Sequence, residues 1–180
     1  MNDGKAVIFD GDGTLWRPIG QGKEFRPDGI YSDESLGKDT HLGLGLIDGV
    51  SELITSLRNR GYRIFVVSAH PRPGSDALHE LELKIVTLGI KELVDAFFCS
   101  DGSDRDGKVK VIRSIVSEFG LNSRKTHMIG DSYYYDYEAG KKAGVNSWFI
   151  KNEYCKQPLP LPNGTLTIDD VTEFIPEDLG

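Results

Sequence analysis

The sequence predicts a doubly wound α/β domain: a Rossmann-like parallel sheet of about five strands with helices on both faces and no large cap domain. Two observations predict it. Short runs of β-branched and aromatic residues at 5–10, 62–68, 96–100, 126–130 and 146–150 read as buried strands. Stretches of helical period separate them, and a β-α-β-α order with right-handed crossovers places successive helices over both faces of one parallel sheet.

The elements follow in order. After the first strand, 15–47 carries Gly, Pro, Asp and Ser throughout and no sustained period, so it reads as a long irregular insertion. It leaves directly from Thr14, which favours a substrate loop or lid. Val50, Leu53, Ile54 and Leu57 then fall at i, i+3, i+4 and i+7, predicting a helix over 49–60 that Gly61 stops. Leu78, Leu81, Ile85 and Leu88 repeat the pattern before Gly89, and Val109, Ile112, Val116 and Phe119 before Gly120. A fourth helix, 134–142, ends at Gly144. The stretch 152–180, with Pro158, Pro160 and Pro162 among leucines, reads as a docking tail in which 167–174 adds a strand end and a helical turn. At 180 residues, one domain over 1–180 is expected.

Composition narrows the function classes. With 38% hydrophobic and 27% charged residues the chain folds as an ordinary globular protein. Its net charge of −7, without a Lys/Arg run interleaved with aromatics, argues against nucleic acid and anionic membranes as partners. The apolar run near the start, Ala6 to Phe9, is too short for a secretion signal or a membrane span. Cys99 and Cys155 form neither a CxxC pair nor a disulfide framework, and a cytoplasmic home with two reduced thiols is expected.

Ligands of open α/β sheets bind at the carboxyl ends of the strands, so the polar residues that close each apolar run are the candidates. The first strand ends at Asp10 with Asp12 two residues on, the second at Ser68, the fourth at Asp131, and Lys108 opens the third helix. Gly11, Gly13 and Gly130 let backbone turn and approach a ligand closely. Three carboxylates, Asp10, Asp12 and Asp131, call for a cation, and oxygen ligands without His or Cys favour a hard one that keeps positions for water and phosphate, namely Mg²⁺. A carboxylate there can attack phosphorus while the cation and Lys108 neutralise the equatorial oxygens and Ser68 donates a hydrogen bond.

These residues resemble the haloacid dehalogenase superfamily. The resemblance rests on Asp10-Gly-Asp12-Gly-Thr14-Leu15, Val66-Val67-Ser68-Ala69, Lys108, and Met128-Ile129-Gly130-Asp131-Ser132 with Asp136, four motifs in order over nearly the whole chain. It implies that Asp10 is a nucleophile forming an aspartyl-phosphate, and that Asp12 is the general acid/base whose backbone carbonyl also binds Mg²⁺. Ser68 and Lys108 hold phosphate, with Ala69 and Gly11 beside them, Asp131 ligates the metal, and Asp136 supports the site. Asp12 argues for a phosphatase over a dehalogenase, because an alkoxide leaving group needs protonation and halide does not. About fifty-five residues separate Asp12 from Ser68, too few for a large cap. Thr14-Leu15-Trp16 before the irregular segment is similar to the small magnesium-dependent phosphatase branch. Capless relatives admit small molecules, sugars or phosphoproteins as phosphorylated substrates.

Several assignments stay open. Lys110 competes with Lys108 as the motif lysine; Lys108 is preferred because it sits four residues before Ile112. Tyr133, Tyr134 and Tyr135 are candidates to line the site. His70 and His41 read as loop residues, His79 and His127 as structural, and Asp101, Asp104 and Asp106 as a solvated acidic loop. Gly43-Leu44-Gly45-Leu46-Ile47-Asp48-Gly49 follows no strand and lacks dinucleotide-loop spacing. The expected activity is phosphomonoester hydrolysis; a phosphomutase and a non-catalytic phosphate- or Mg²⁺-binding module are the alternatives.

Overall fold

The computed structural model describes residues 3–36, 39–70 and 76–176, and of His70 the backbone only. In chain order the elements are β1 (Ala6–Phe9), β2 (Trp16–Pro18), β3 (Leu44–Leu46), α1 (Val50–Asn59), β4 (Arg63–His70), α2 (Ala77–Thr87), β5 (Ala96–Asp101), α3 (Gly107–Glu118), β6 (Thr126–Gly130), α4 (Glu138–Ala143), β7 (Asn146–Ile150) and β8 (Thr167–Ile168). Six of the strands form one parallel sheet in the order β5-β4-β1-β6-β7-β8. The sixth, β8, is the strand end expected in the tail, and it covers the edge of β7. Residues 177–180 of that tail lie outside the described residues.

The central strands read as continuous apolar runs because both faces are covered. Successive side chains point to opposite faces of the sheet. Val7, Phe9, Ile64 and Val66 thus pack under Val50, Ile54 and Leu57 of α1 and Leu81 and Ile85 of α2. Ala6, Ile8, Phe65 and Val67 pack under Val109, Ile112 and Ile115 of α3 and Ala139 of α4. Each such aliphatic side chain contributes about 1.5–3 kcal/mol on burial. Gly61, Gly89, Gly120 and Gly144 all take positive φ just past a helix, as stop signals should.

The apolar stripe of α2 departs from the expected pattern. Leu78 is half exposed, whereas Lys84, one turn from Leu81 on the buried face, is only 2% exposed. The fourth helical stretch opens with a π turn over Tyr133–Tyr137 before regular α4 begins.

The segment 15–47 holds the small antiparallel ladder β2–β3, pairing Trp16 with Leu46, and 3₁₀ turns at Pro27–Ser32 and Thr40–Gly43. Ile30, Thr40 and Leu44 are buried, so the segment is anchored to the body. Among the described residues no helix is long and apolar enough to cross a membrane.

Candidate active site

Chain order in the sheet reverses at β1, with β4 and β5 laid down on one side and β6, β7 and β8 on the other. The crevice at such a switch point is where α/β sheets bind ligands. Phe9 is level with Val66 of β4 and Ile129 of β6. Asp10 therefore lies one residue past that rung, and Ser68 and Asp131 two residues past it, all at the carboxyl edge.

The turn after β1 is built by glycine. The Gly11 carbonyl accepts from the N–H groups of Thr14, Leu15 and Trp16 at 3.1, 2.8 and 3.3 Å, and Asp10 N–H donates to Ile129 O at 2.9 Å. A Cβ on Gly11 would stand 2.3 Å from the Trp16 ring, and one on Gly13, whose φ is +82°, 2.1 Å from Asp131 Oδ2. Gly11 is required for close approach, and Gly13 for close approach and conformation alike.

Three buried carboxylates meet there: Asp10, Asp131 and Asp136 place oxygens within 4.8 Å of one another. Lys108, buried at the start of α3, donates to Asp10 Oδ1 and Asp136 Oδ1. Asp136 Oδ2 accepts from Ser132 N–H at 2.9 Å. A Cβ on Gly130 would collide with the Asp136 carboxylate at 2.3 Å. Lys110 points the other way, with an exposed side chain paired to Asp104 at 2.7 Å.

The electrostatics follow from one ammonium among three carboxylates. Burial first, and then the charge of Asp136, push the Asp10 carboxyl well above its usual range, against the lowering effect of Lys108. Burial and Asp136 likewise push Asp131 up to about 7. Burial would lower the Lys108 ammonium, but the charges of Asp10 and Asp136 outweigh it and the net shift is upward. Fully ionised, the cluster carries two uncompensated negative charges, and its donors are hard oxygens. That donor set fits a small divalent cation such as Mg²⁺.

The Asp12 carboxylate is held by other donors, beside this cluster. Oδ1 accepts from Trp16 Nε1 at 2.9 Å and Oδ2 from Tyr31 Oη at 2.7 Å. Lys84 Nζ reaches both oxygens, at 3.5 and 3.3 Å. Burial and then the Asp12 charge push the Tyr31 phenol upward, so it remains a donor.

Ser68 is buried at the end of β4 and Ala69 half-buried beside it, while the His70 side chain lies outside the described residues. Tyr133 stacks on Tyr137 and packs edge-on to Phe149 in a separate aromatic cluster, so packing accounts for it. Tyr134 lies edge-on to Tyr133, and Tyr135 is exposed. His127 accepts from Trp148 Nε1 at 3.2 Å, and burial lowers its pKa to about 4, consistent with a neutral structural role.

Sequence reasoning missed four residues at this site. Lys84 and Tyr31 hold Asp12. Tyr154 donates to Asp131 Oδ2 at 2.6 Å, and Asn152 Nδ2 donates to the Asp131 carbonyl at 2.6 Å. A lysine on an otherwise apolar helical stripe was the available signal for Lys84; the others come from segments without a period.

The sequence matches the haloacid dehalogenase-like hydrolase family over residues 32–150, well over half of the chain. Among solved structures it is similar to a haloacid dehalogenase-like family hydrolase from Xanthomonas campestris, with TM-score 0.67 and 18% identity over 94% of this chain and 92% of that one. A HAD phosphatase from Thermococcus onnurineus gives TM-score 0.67 at 17% identity, covering 94% and 95%. The HAD hydrolase YfnB from Bacillus subtilis, bound to magnesium, gives 0.63 at 16%, covering 94% and 96%. No curated protein matches the sequence.

Proposed function

The chain belongs to the haloacid dehalogenase-like hydrolase family, and from that premise we propose that it is a Mg²⁺-dependent phosphatase working through an aspartyl-phosphate on Asp10. One observation carries the reading. The Asp10 carboxylate shares a buried cluster with Lys108 and two further carboxylates, while a second, separately held carboxyl, Asp12, follows two residues on.

Asp10 attacks the phosphorus of a phosphomonoester, and the P–O bond to the leaving group breaks. Asp12 gives its proton to the departing alkoxide and then takes one from the water that attacks the aspartyl-phosphate, releasing inorganic phosphate and free Asp10. Lys108 and Ser68 hold the transferring phosphoryl oxygens. Asp10, Asp131 and the Asp12 backbone carbonyl would hold the metal, which would supply charge neutralisation on those oxygens. Asp136 keeps Lys108 and the turn after β6 in place. A dehalogenase would have no use for Asp12 as an acid, which favours phosphate esters as substrates. The substrate is a phosphorylated small molecule, sugar or phosphoprotein, taken up without a large cap.

Hydrolysis of p-nitrophenyl phosphate with Mg²⁺, and of a panel of phosphate esters, tests the reading. Turnover lost in Asp10→Asn and in chelator supports it. Turnover that persists in both, or no turnover on any ester, rejects it.

A further inference from the structure

Lys84 poses a physical problem. It lies in the last turn of α2, on the face that packs against the sheet, and its side chain is 2% exposed. An ammonium taken out of water costs several kcal/mol unless it is paired, and an apolar residue on that stripe would pack without the cost. Its partners show where the charge is directed. Nζ straddles both Asp12 oxygens, donates to the Tyr31 hydroxyl oxygen, and stands 4.7 Å from the Tyr31 ring centroid and 5.8 Å from that of Trp16. Tyr31 and Trp16 donate to different oxygens of the same carboxylate. Three donors from α2 and the segment 15–47 thus fix one side chain.

We propose that Lys84, together with Tyr31 and Trp16, is a positioning residue that holds the Asp12 carboxyl in place, so that in its protonated form it hands its proton to the leaving group. The proposal rests on the phosphatase reading above. General acid catalysis requires the carboxyl within hydrogen-bond reach of the departing oxygen, and a displacement of about 1 Å costs on the order of 100-fold. That requirement depends on the ester. An alkoxide must be protonated as it leaves, whereas p-nitrophenolate departs as a stable anion.

The test compares kcat/KM, which covers steps through loss of the leaving group, for p-nitrophenyl phosphate and for the fastest of a panel of alkyl phosphates, both with saturating Mg²⁺. The ratio of alkyl to aryl values is expected to fall about 100-fold in Lys84→Met and about 10-fold in Tyr31→Phe, following the direction set by Asp12→Asn. Equal losses on both esters in the two variants, with the ratio unchanged, would overturn the proposal while leaving the phosphatase reading intact. A wild-type protein inactive on every ester would overturn the phosphatase reading itself, and the positioning role with it. Should Lys84→Met fail to fold, Tyr31→Phe, which removes one hydroxyl and keeps the ring, decides by the same ratio, with circular dichroism confirming its fold.

Discussion

Two buried lysines serve the candidate site from opposite faces of the sheet. Lys108 comes from α3, opens its helix and lies between Asp10 and Asp136. Lys84 comes from the last turn of α2 and meets Asp12, with a phenol and an indole beside it. Around Lys108 negative charge is in excess, and burial, with the charge of Asp136 next, pushes the carboxyls of Asp10 and Asp131 upward. Around Asp12 each oxygen already has its donors. The difference separates two tasks: the Lys108 half is built to accept further positive charge, and the Lys84 half to hold one carboxyl still.

The largest effect expected from breaking the Lys108 half is Asp10→Asn, which removes the proposed nucleophile and should lower kcat by 10⁴ or more, on the order of losses seen for covalent nucleophiles; burst and steady-state kinetics on p-nitrophenyl phosphate measure it. Lys108→Met leaves three carboxylates facing one another, and urea denaturation should show a loss of about 3–5 kcal/mol in chelator, the cost of breaking a buried pair, partly restored by Mg²⁺.

The pH dependence sharpens the same contrast. Asp131, at about 7 in the fold, binds protons there that the unfolded chain, near 3.8, has already lost. The metal-free protein should therefore lose stability as pH rises from 4 toward 7, and keep the deficit above it. Added Mg²⁺ should raise the melting temperature more at pH 7.5 than at pH 5, and calorimetry at both values checks the sign.

Tyr154→Phe removes the donor to Asp131 Oδ2, and the Mg²⁺ concentration for half-maximal activity should rise about 10-fold, as losses outside the ligand set usually do. The smallest effect belongs to Lys110→Ala. It breaks an exposed pair with Asp104 and should leave the thermal unfolding midpoint nearly where it is, with kcat unchanged.

The same contrast explains what was legible beforehand. The parallel sheet was readable because its strands are continuous apolar runs separated by helical periods, and the positions of Asp10, Ser68 and Asp131 at its carboxyl edge follow from strand ends alone. Lys108 was placed by its step from Ile112. Lys84 was not read because its significance depends on which face of α2 is buried, and Leu78, half exposed, misdirected the stripe by a turn. The paired strands of 15–47 have three residues each, too short for alternation to register, and Tyr31 sits in a 3₁₀ turn without a pattern of its own. Tyr154 reaches Asp131 from the stretch after β7, where no period announces a contact.

The position of β1 at the centre of the sheet also makes the site a long-range assembly. Asp10 N–H is held by Ile129, and the phenol that braces Asp131 comes from Tyr154, both far from Asp10 along the chain. Until β6 docks, β1 has one flank unpaired and Asp10 has neither Asp131 nor Asp136 beside it. Such long-range pairing is slow to form. The carboxylate cluster, and with it any cation site it forms, therefore exists only once β6 has closed against β1.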